Sequence, residues 1–219
     1  MLIWRLLGAL SLVLALSACA ENPYHLSATY LDRYATRNPT PASFTECHGF
    51  GCAEVSHVSL TPHAWQRVAA IFHPRAVDAA AERQQIARAV ALTERLVGAQ
   101  TGTAAHQWTH KNRHILPNFS DPTQLDCIDE SVDTWTYLTM MQRAGFLHFH
   151  RVPELSYAGL PTTTPRNTAT IKQRGGGYYA VDPSLVDAGV PPPIIPLKVW
   201  LASWPPRLSV NETSKRSPG

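Results

Sequence analysis

The chain has 219 residues, a formal net charge of +3 and charged side chains at 16% of its positions. This length can bury one sizeable core but is short for two, so we expect a single domain. Basic and acidic side chains are close to balance and form no dense basic run, which excludes nucleic acid as the partner. The sequence predicts no cofactor.

The first 18 residues have the pattern of an export signal. A lone Arg5 precedes an apolar run from Leu6 to Leu16, which is too short for an ordinary membrane-spanning helix. The run leads into LSAC at 16–19, which resembles the bacterial lipobox, so Cys19 is the predicted site of acylation by palmitate or a similar chain. An ordinary cleaved signal, in which Cys19 is incidental, is the alternative.

Lipidation would anchor the protein to a membrane of the bacterial cell envelope, facing the periplasm. Ala20 follows Cys19, and by resemblance to sorted lipoproteins a residue other than Asp at this position favours the outer membrane. The first predicted partner is therefore the membrane itself, through the N-terminal lipid.

Two helices are predicted in the first half of the chain, after a membrane-proximal spacer at residues 19–43. Residues 60–72 read as a short helix, with Thr61 as N-cap and a proline in the first turn. Residues 77–97 form a longer apolar pattern of helical period, and Gly98 supplies the predicted stop.

The stretch QLDCIDES places Cys127 at the start of a third helix. Asp126 suits the N-cap, and the apolar stripe runs on to about Ala144. The helix dipole favours a thiolate at Cys127, while Asp129 and Glu130 oppose it. The local pattern fits either a nucleophile or a buried, inert thiol.

Strand signals follow this helix. Residues 146–152, 167–172 and 178–182 are rich in β-branched and aromatic side chains, and a glycine-rich turn joins the last two as an antiparallel hairpin. The turn geometry predicts that Thr168 faces Asp182. Helices first and antiparallel strands second indicate an α+β domain. Residues 206–219 have too few apolar side chains to fold and are predicted to be a flexible tail.

The cysteines predict a disulfide, and a run of histidines predicts a possible metal site. Cys47 and Cys52 flank a short loop with two glycines, which predicts a disulfide; a metal set with His48 is the alternative. That pairing leaves Cys127 outside any disulfide. Three histidines recur every four residues and would share one face of a helix as metal ligands, although a solvated loop is the other interpretation: His106, His110 and His114.

The order and spacing of several motifs resemble the bacterial transglutaminase-like cysteine peptidase family. These motifs are CHGFGC, VSLTPHAW, GAQTGT, QLDCIDES, GFLHFHRV, YYAVDPSLVDAG and PPPIIPLKVWL. The resemblance implies a papain-like core over residues 44–205, with N-terminal helices followed by an antiparallel sheet. It also implies Cys127 as nucleophile, Asp182 as the carboxylate that orients the base, and Gln124 as an oxyanion donor.

The family's catalytic histidine is missing from this chain. It should open the strand at 167–172, where Arg166 and Asn167 stand instead, and no histidine occurs after His150. Arginine stays protonated and an amide has no titratable base near neutral pH, so neither replacement can take the thiol proton.

Three functions follow as expectations. The first is a lipoprotein with degraded catalysis that binds a peptide or protein segment in a cleft lined by Trp135 and neighbouring aromatic residues. The second is an active thiol peptidase or amidase whose base comes from elsewhere, such as His48 or His106. The third is a periplasmic metal-binding lipoprotein that uses the histidine run.

We expect Cys19→Ser to move the protein from the membrane fraction to the soluble periplasmic fraction, because the acyl chain is the predicted anchor. Fractionation and immunoblotting measure the distribution, with Cys127→Ser as the control that keeps its anchor. Unchanged membrane association of Cys19→Ser would contradict the lipobox assignment.

Overall fold

A computed structural model of the chain describes residues 24–105, 121–159 and 166–202. These ranges form an α+β fold, the class that the sequence predicts. The helices are α1 Thr29–Tyr34, α2 Pro62–Ala70, α3 Ala79–Thr101, α4 Cys127–Arg143 and α5 Leu197–Ala202. The strands are β1 Leu26–Ser27, β2 Phe44–His48, β3 Glu54–Val58, β4 His150–Arg151, β5 Leu155–Ala158, β6 Arg166–Gln173, β7 Tyr178–Val181 and β8 Ile194–Pro196. None of the helices within these ranges has the length and apolar composition of a membrane span.

Six of the strands form one antiparallel sheet with the order β1-β5-β6-β7-β8, and β4 pairs with β6 beside β5. Strands β2 and β3 form a separate hairpin. In the central pair β6–β7, Ala169 faces Val181 and Thr170 faces Ala180, which confirms the predicted hairpin register. Asp182 lies one residue beyond the end of β7.

The sheet separates two cores, because alternate residues of a strand point to opposite faces. Ala169 and Ile171 of β6 belong to the larger core, which contains buried residues of α3 and α4. Ala158 and Ala180 belong to a smaller core with Leu197 and Trp200 of α5. We call these two sides the α4 face and the α5 face.

Side-chain caps start helices α2, α3 and α4, and the caps of α2 and α4 are those that the sequence predicts. Thr61 accepts the N–H of Ala64 at 3.1 Å, and Asp78 accepts the N–H of Ala81 at 2.7 Å. A cap of this kind satisfies one of the backbone donors that the first turn leaves without a helical partner. The predicted helix at residues 60–72 is confirmed with its cap at Thr61.

The predicted stop at Gly98 is wrong. Helix α3 continues to Thr101 and ends at Gly102, whose φ of +83° is the left-handed conformation that closes many helices. Gly98 instead permits a close approach inside the fold: a Cβ at this position would lie 2.8 Å from the backbone nitrogen of Ala104. Gly98 therefore lies within the helix and allows close packing against Ala104, and it does not end the helix.

The predicted strand at residues 146–152 is also largely wrong, because only His150–Arg151 pair with a neighbour. The buried carboxylate of Glu82 accepts the backbone N–H groups of His148, Phe149 and His150 at 2.7 to 3.0 Å. These backbone donors bond to a side chain of α3 and not to a neighbouring strand. The β-branched and aromatic residues of this segment give no indication of such a contact.

Two N-terminal elements depart from the sequence interpretation. Residues 19–43 are predicted as a spacer, yet β1 pairs with β5 and Leu31 of α1 is buried in the larger core. From Tyr24 onward the chain thus packs on the domain. The hairpin β2–β3 encloses CHGFGC and precedes the long helices, whereas the prediction places helices first. Strands and helices this short leave little periodicity to detect.

Carboxyl groups cluster under the β2–β3 hairpin. Glu46, Glu130, Asp133 and Tyr137 line part of a cavity of about 20 Å³. The Tyr137 hydroxyl contacts both carboxylate oxygens of Glu46, at 2.7 and 2.6 Å. Burial raises the pKa of Glu46 to about 8 and that of Asp133 well above its ordinary range, and neighbouring carboxylates add to both shifts. Protonation of the cluster therefore stabilises the fold.

We expect the free energy of unfolding to fall between pH 5 and pH 8. Glu46 has an ordinary pKa of 4.5 and a folded-state pKa of about 8, so its stabilising effect is complete below the first value and lost through the second. Glu46→Gln should reduce this slope and raise stability at pH 8 by an amount on the order of 2 kcal/mol.

Urea denaturation at several pH values measures this slope, and Glu54→Gln is the matched control because Glu54 is exposed on the same hairpin. A native stability that rises across this range, or an equal effect of the control substitution, would contradict the assignment.

Candidate active site

Cys127 is the first residue of α4, as predicted. Asp126 caps the helix by accepting the N–H groups of Ile128 at 2.8 Å and Asp129 at 3.0 Å. The Asp129 carboxylate in turn accepts the N–H of Asp126 at 2.9 Å, which completes a capping box. The thiol is therefore held on a well-defined helix start, and it is half-buried.

The disulfide loop supports this helix start. Cys47 and Cys52 are bonded, which confirms that prediction. Every residue from Gly49 to Cys52 has a positive φ, a conformation that costs the non-glycine residues Phe50 and Cys52 some strain. This backbone turns the N–H groups of Phe50 and Cys52 toward the Asp129 carboxylate, at 3.1 and 2.5 Å. A run of amides in such a conformation forms a concave anion site.

The same loop contacts the segment that leads into α4. The N–H of Gly49 donates to the Gln124 carbonyl at 2.8 Å. His48 contacts the Pro122 carbonyl through Nδ1 at 2.6 Å and the Ser56 hydroxyl through Nε2 at 2.8 Å. Both ring nitrogens of His48 are thus engaged away from Cys127, which argues against His48 as its base. The role of Gln124 as an oxyanion donor stays a prediction.

A metal set at Cys47 and Cys52 does not fit this arrangement. One ligand atom from each of Cys47, Cys52 and Asp129 lies within 4.8 Å of the others. The two sulfurs are bonded to each other and so supply no thiolate for a metal, and the Asp129 oxygens already accept backbone N–H groups. His106, His110 and His114 lie outside the described residues.

Asn167 occupies the side of Cys127 where the resemblance places a histidine. Its Nδ2 donates to the Cys127 sulfur at 4.0 Å, and Asn167 is largely buried on β6. An amide can donate to a thiol but cannot remove its proton near neutral pH. The neighbour of the thiol is therefore a hydrogen-bonding group without acid–base capacity.

Arg166 binds the carboxylate that the resemblance assigns to orient the base. Its guanidinium forms an ion pair with Asp182 at 2.6 Å, and both side chains are buried. Asp182 also accepts from the Ser184 hydroxyl at 2.6 Å and from the Trp200 indole at 2.7 Å. Arginine and these two donors occupy both oxygens of Asp182.

The two contacts that one imidazole would make are divided between adjacent residues. Asn167 lies on the α4 face with Ala169 and Ile171, whereas Arg166 contacts Trp200 of the α5 face, with its guanidinium 5.6 Å from the ring centroid. Consecutive residues of a strand point to opposite faces, so neither can take over the contact of the other. The thiol and the carboxylate are not bridged through β6.

The environment of Cys127 suppresses its ionisation. Burial raises the pKa of the thiol from 9.0 to about 12, and the negative charges of Asp126 and Asp182 act in the same direction. Hydrogen bonds from Asn167 lower the pKa without offsetting these effects. The sequence pattern fits either a nucleophile or an inert thiol, and the raised pKa favours the second. Cys127 is therefore protonated and weakly reactive at neutral pH.

His150 is far from this thiol, as the predicted lengths of helix and strand indicate. It pairs with Gln173, at the opposite end of β6 from Asn167, a separation of roughly 20 Å at 3.3 Å per residue. Its ring is buried against Glu82, with Nδ1 and the carboxylate 2.8 Å apart. This pair holds the chain between α4 and β4 and serves no role at Cys127.

The aromatic side chain that accompanies the site is Tyr157 rather than Trp135. Trp135 packs against the larger core, and its indole donates to the Pro153 carbonyl at 2.9 Å. Tyr157 faces Asn167 across β5 and β6 and is 46% exposed, so its ring lies on the α4 face beside the residue that contacts the thiol. The aromatic residue in the short segment LSYA is a weak sequence signal that could have identified Tyr157.

Comparisons with known proteins find no relative of this chain. No family model matches the chain, and searches of curated proteins and of solved structures find no match either.

We expect Cys127 to react slowly with a small disulfide reagent at pH 7. A pKa three units above the ordinary value lowers the thiolate fraction about 1000-fold, and the greater nucleophilicity of a more basic thiolate recovers part of this, leaving a rate roughly 30- to 60-fold below an ordinary thiol. Asn167→His should raise the rate at least tenfold, because it places an imidazole beside the sulfur.

Arg166→His is the matched control for this substitution. It places the imidazole on the α5 face, where it can contact Asp182 but not the sulfur, so the reaction rate should stay near that of the native chain. Thermal unfolding checks that both variants are folded. A fast native reaction, or equal acceleration by the two variants, would contradict the division of contacts.

Proposed function

We propose that this protein is a lipid-anchored envelope protein with a transglutaminase-like, papain-like cysteine-peptidase fold that has lost its amidase chemistry. It acts by binding an extended peptide or protein segment at the Cys127 site. The protein faces the periplasm, with the outer membrane as the favoured location. The family resemblance of its motifs supports the fold, and the site geometry supports the loss of chemistry.

One observation carries the proposal: Asn167 hydrogen-bonds the Cys127 sulfur while Arg166 forms the ion pair with Asp182. Amide cleavage by a thiol requires a base that removes the thiol proton and an acid that protonates the leaving amine. Asn167 can do neither, and Arg166 holds Asp182 in a buried pair. Asn167 and Arg166 each make a specific contact in the position where the resemblance places a histidine. The site therefore differs from a catalytic one by two new interactions as well as by the missing base.

A polar but unreactive pair of this kind suits binding. The Cys127 thiol and the Asn167 amide are half-buried or buried at the start of α4, and the exposed ring of Tyr157 lies on the same face. His25 extends this surface, since its ring centroid is 5.3 Å from that of Tyr157. An extended segment across the start of α4 would meet aromatic surface beside hydrogen-bonding groups, the usual composition of a recognition site.

Photocrosslinking tests the binding role. We expect the Tyr157→p-benzoylphenylalanine variant, expressed in the native envelope, to form a discrete crosslinked product with a peptide or protein. The matched control carries the same group at Val77, which is 87% exposed and precedes α3. Crosslinks of equal yield at both positions would contradict a specific site at Tyr157.

Peptide hydrolysis tests the loss of chemistry. The purified chain should cleave no peptide in a Cys127-dependent manner, as measured by mass spectrometry of a mixed peptide substrate with Cys127→Ala for comparison. Cleavage that disappears in Cys127→Ala would establish instead a working thiol peptidase with a base outside β6.

A further inference from the structure

Aromatic and basic side chains form a continuous surface on the α5 face. The rings of Tyr24 and Tyr178 are 4.2 Å apart, and the Lys172 ammonium lies 4.8 Å from the Tyr178 ring centroid. Tyr24, Tyr178 and Lys198 also line an open cavity of about 250 Å³. We call Tyr24, Lys172, Tyr178 and Lys198 the aromatic–lysine patch.

Basic side chains outnumber acidic ones on the described part of this surface, where the exposed Glu154 before β5 lies on the same face. Arg151 faces Lys172 across β4 and β6, so its exposed side chain shares the face of the patch. Lys198 is exposed at the start of α5, and the next residue, Val199, is 51% exposed. Tyrosine rings with a polar tip, apolar surface and long cationic side chains are the combination that settles at a lipid–water interface.

The chain between the predicted lipid and this patch is short. Four residues separate Cys19 from Tyr24. Five consecutive Cα–Cα steps span at most about 18 Å. An acyl chain on Cys19 would therefore keep Tyr24, and the side chains packed around it, close to the membrane surface. A spacer through residue 43 would have allowed the domain to move away, but Leu26–Ser27 is already part of the sheet.

We propose that the aromatic–lysine patch binds the anionic lipid headgroups of the membrane that anchors the protein. The proposal rests on the proposed lipid anchor at Cys19, which brings the patch to the surface. Phosphate headgroups attract Arg151, Lys172 and Lys198, while the tyrosine rings lie at the level of the headgroups.

This contact orients the candidate site. Asn167 and Tyr157 lie on the α4 face of the sheet, opposite the patch. With the α5 face against the lipid, the Cys127 site points away from the membrane and into the periplasm. A membrane-bound domain would then present its recognition surface to a periplasmic segment rather than to lipid.

Vesicle binding tests the patch separately from the anchor. The mature chain with Cys19→Ser, complete from residue 19 to 219 but without lipid, is sedimented with vesicles of phosphatidylglycerol and phosphatidylethanolamine in equal parts, and with phosphatidylcholine vesicles. We expect binding to the anionic vesicles only, weakened by salt. Lys172→Glu combined with Lys198→Glu should lower the partition coefficient at least tenfold.

Arg67→Glu combined with Arg88→Glu is the matched control, because both arginines are exposed on the helices of the α4 side and the change in net charge is the same. It should alter the partition coefficient less than twofold. Absence of binding to anionic vesicles, or equal losses in the two double variants, would overturn the patch. The intact mass of the native N-terminal peptide reports acylation of Cys19 independently, so failure of the anchor and failure of the patch give different results.

Discussion

The carboxylate of Asp129 is the point on which the site architecture depends. It completes the capping box of α4 through the N–H of Asp126 and also accepts the N–H groups of Phe50 and Cys52 in the disulfide loop. One side chain therefore fixes the start of the helix that presents Cys127 and attaches the strained loop to it. The disulfide constrains the ends of that loop, so the left-handed backbone persists with its amides directed at Asp129.

This concentration of carboxylates sets the electrostatics of the site. Burial raises the pKa of Asp129 to about 7, and the charge of Asp126 contributes to the shift. Negative charge around the start of α4 opposes the helix dipole, which by itself would favour a thiolate. A cysteine at a helix N-terminus is thus insufficient for a nucleophile, because the groups that build the cap determine whether the sulfur can ionise.

Two residues that are neighbours in the sequence lie on opposite faces of the sheet when they belong to one strand. Arg166 and Asn167 are neighbours in sequence, yet one contacts Asp182 beside Trp200 and the other contacts Cys127 beside the larger core. A buried ion pair is strongly disrupted when one partner is removed, so Asp182 and Arg166 are mutually dependent. For amide cleavage, this site would need both a base at the sulfur and release of Asp182 from this pair, two changes on opposite faces of the sheet.

The sequence by itself determined the features that depend on neighbouring residues. The caps at Thr61 and Asp126, the register of β6 with β7, the disulfide and the α+β class follow from turn chemistry, spacing and periodicity. The sequence also shows directly that no histidine stands at the start of β6.

Only the tertiary structure decided which distant groups meet. Glu82 from α3 binds the backbone at 148–150, Leu26–Ser27 pairs with β5, and Gly98 packs against Ala104 where the pattern predicts a helix end. The same holds for Arg166 with Asp182 and for the raised pKa of Cys127. Each depends on burial and on contacts between elements far apart in the chain, and local propensity contains no information about either.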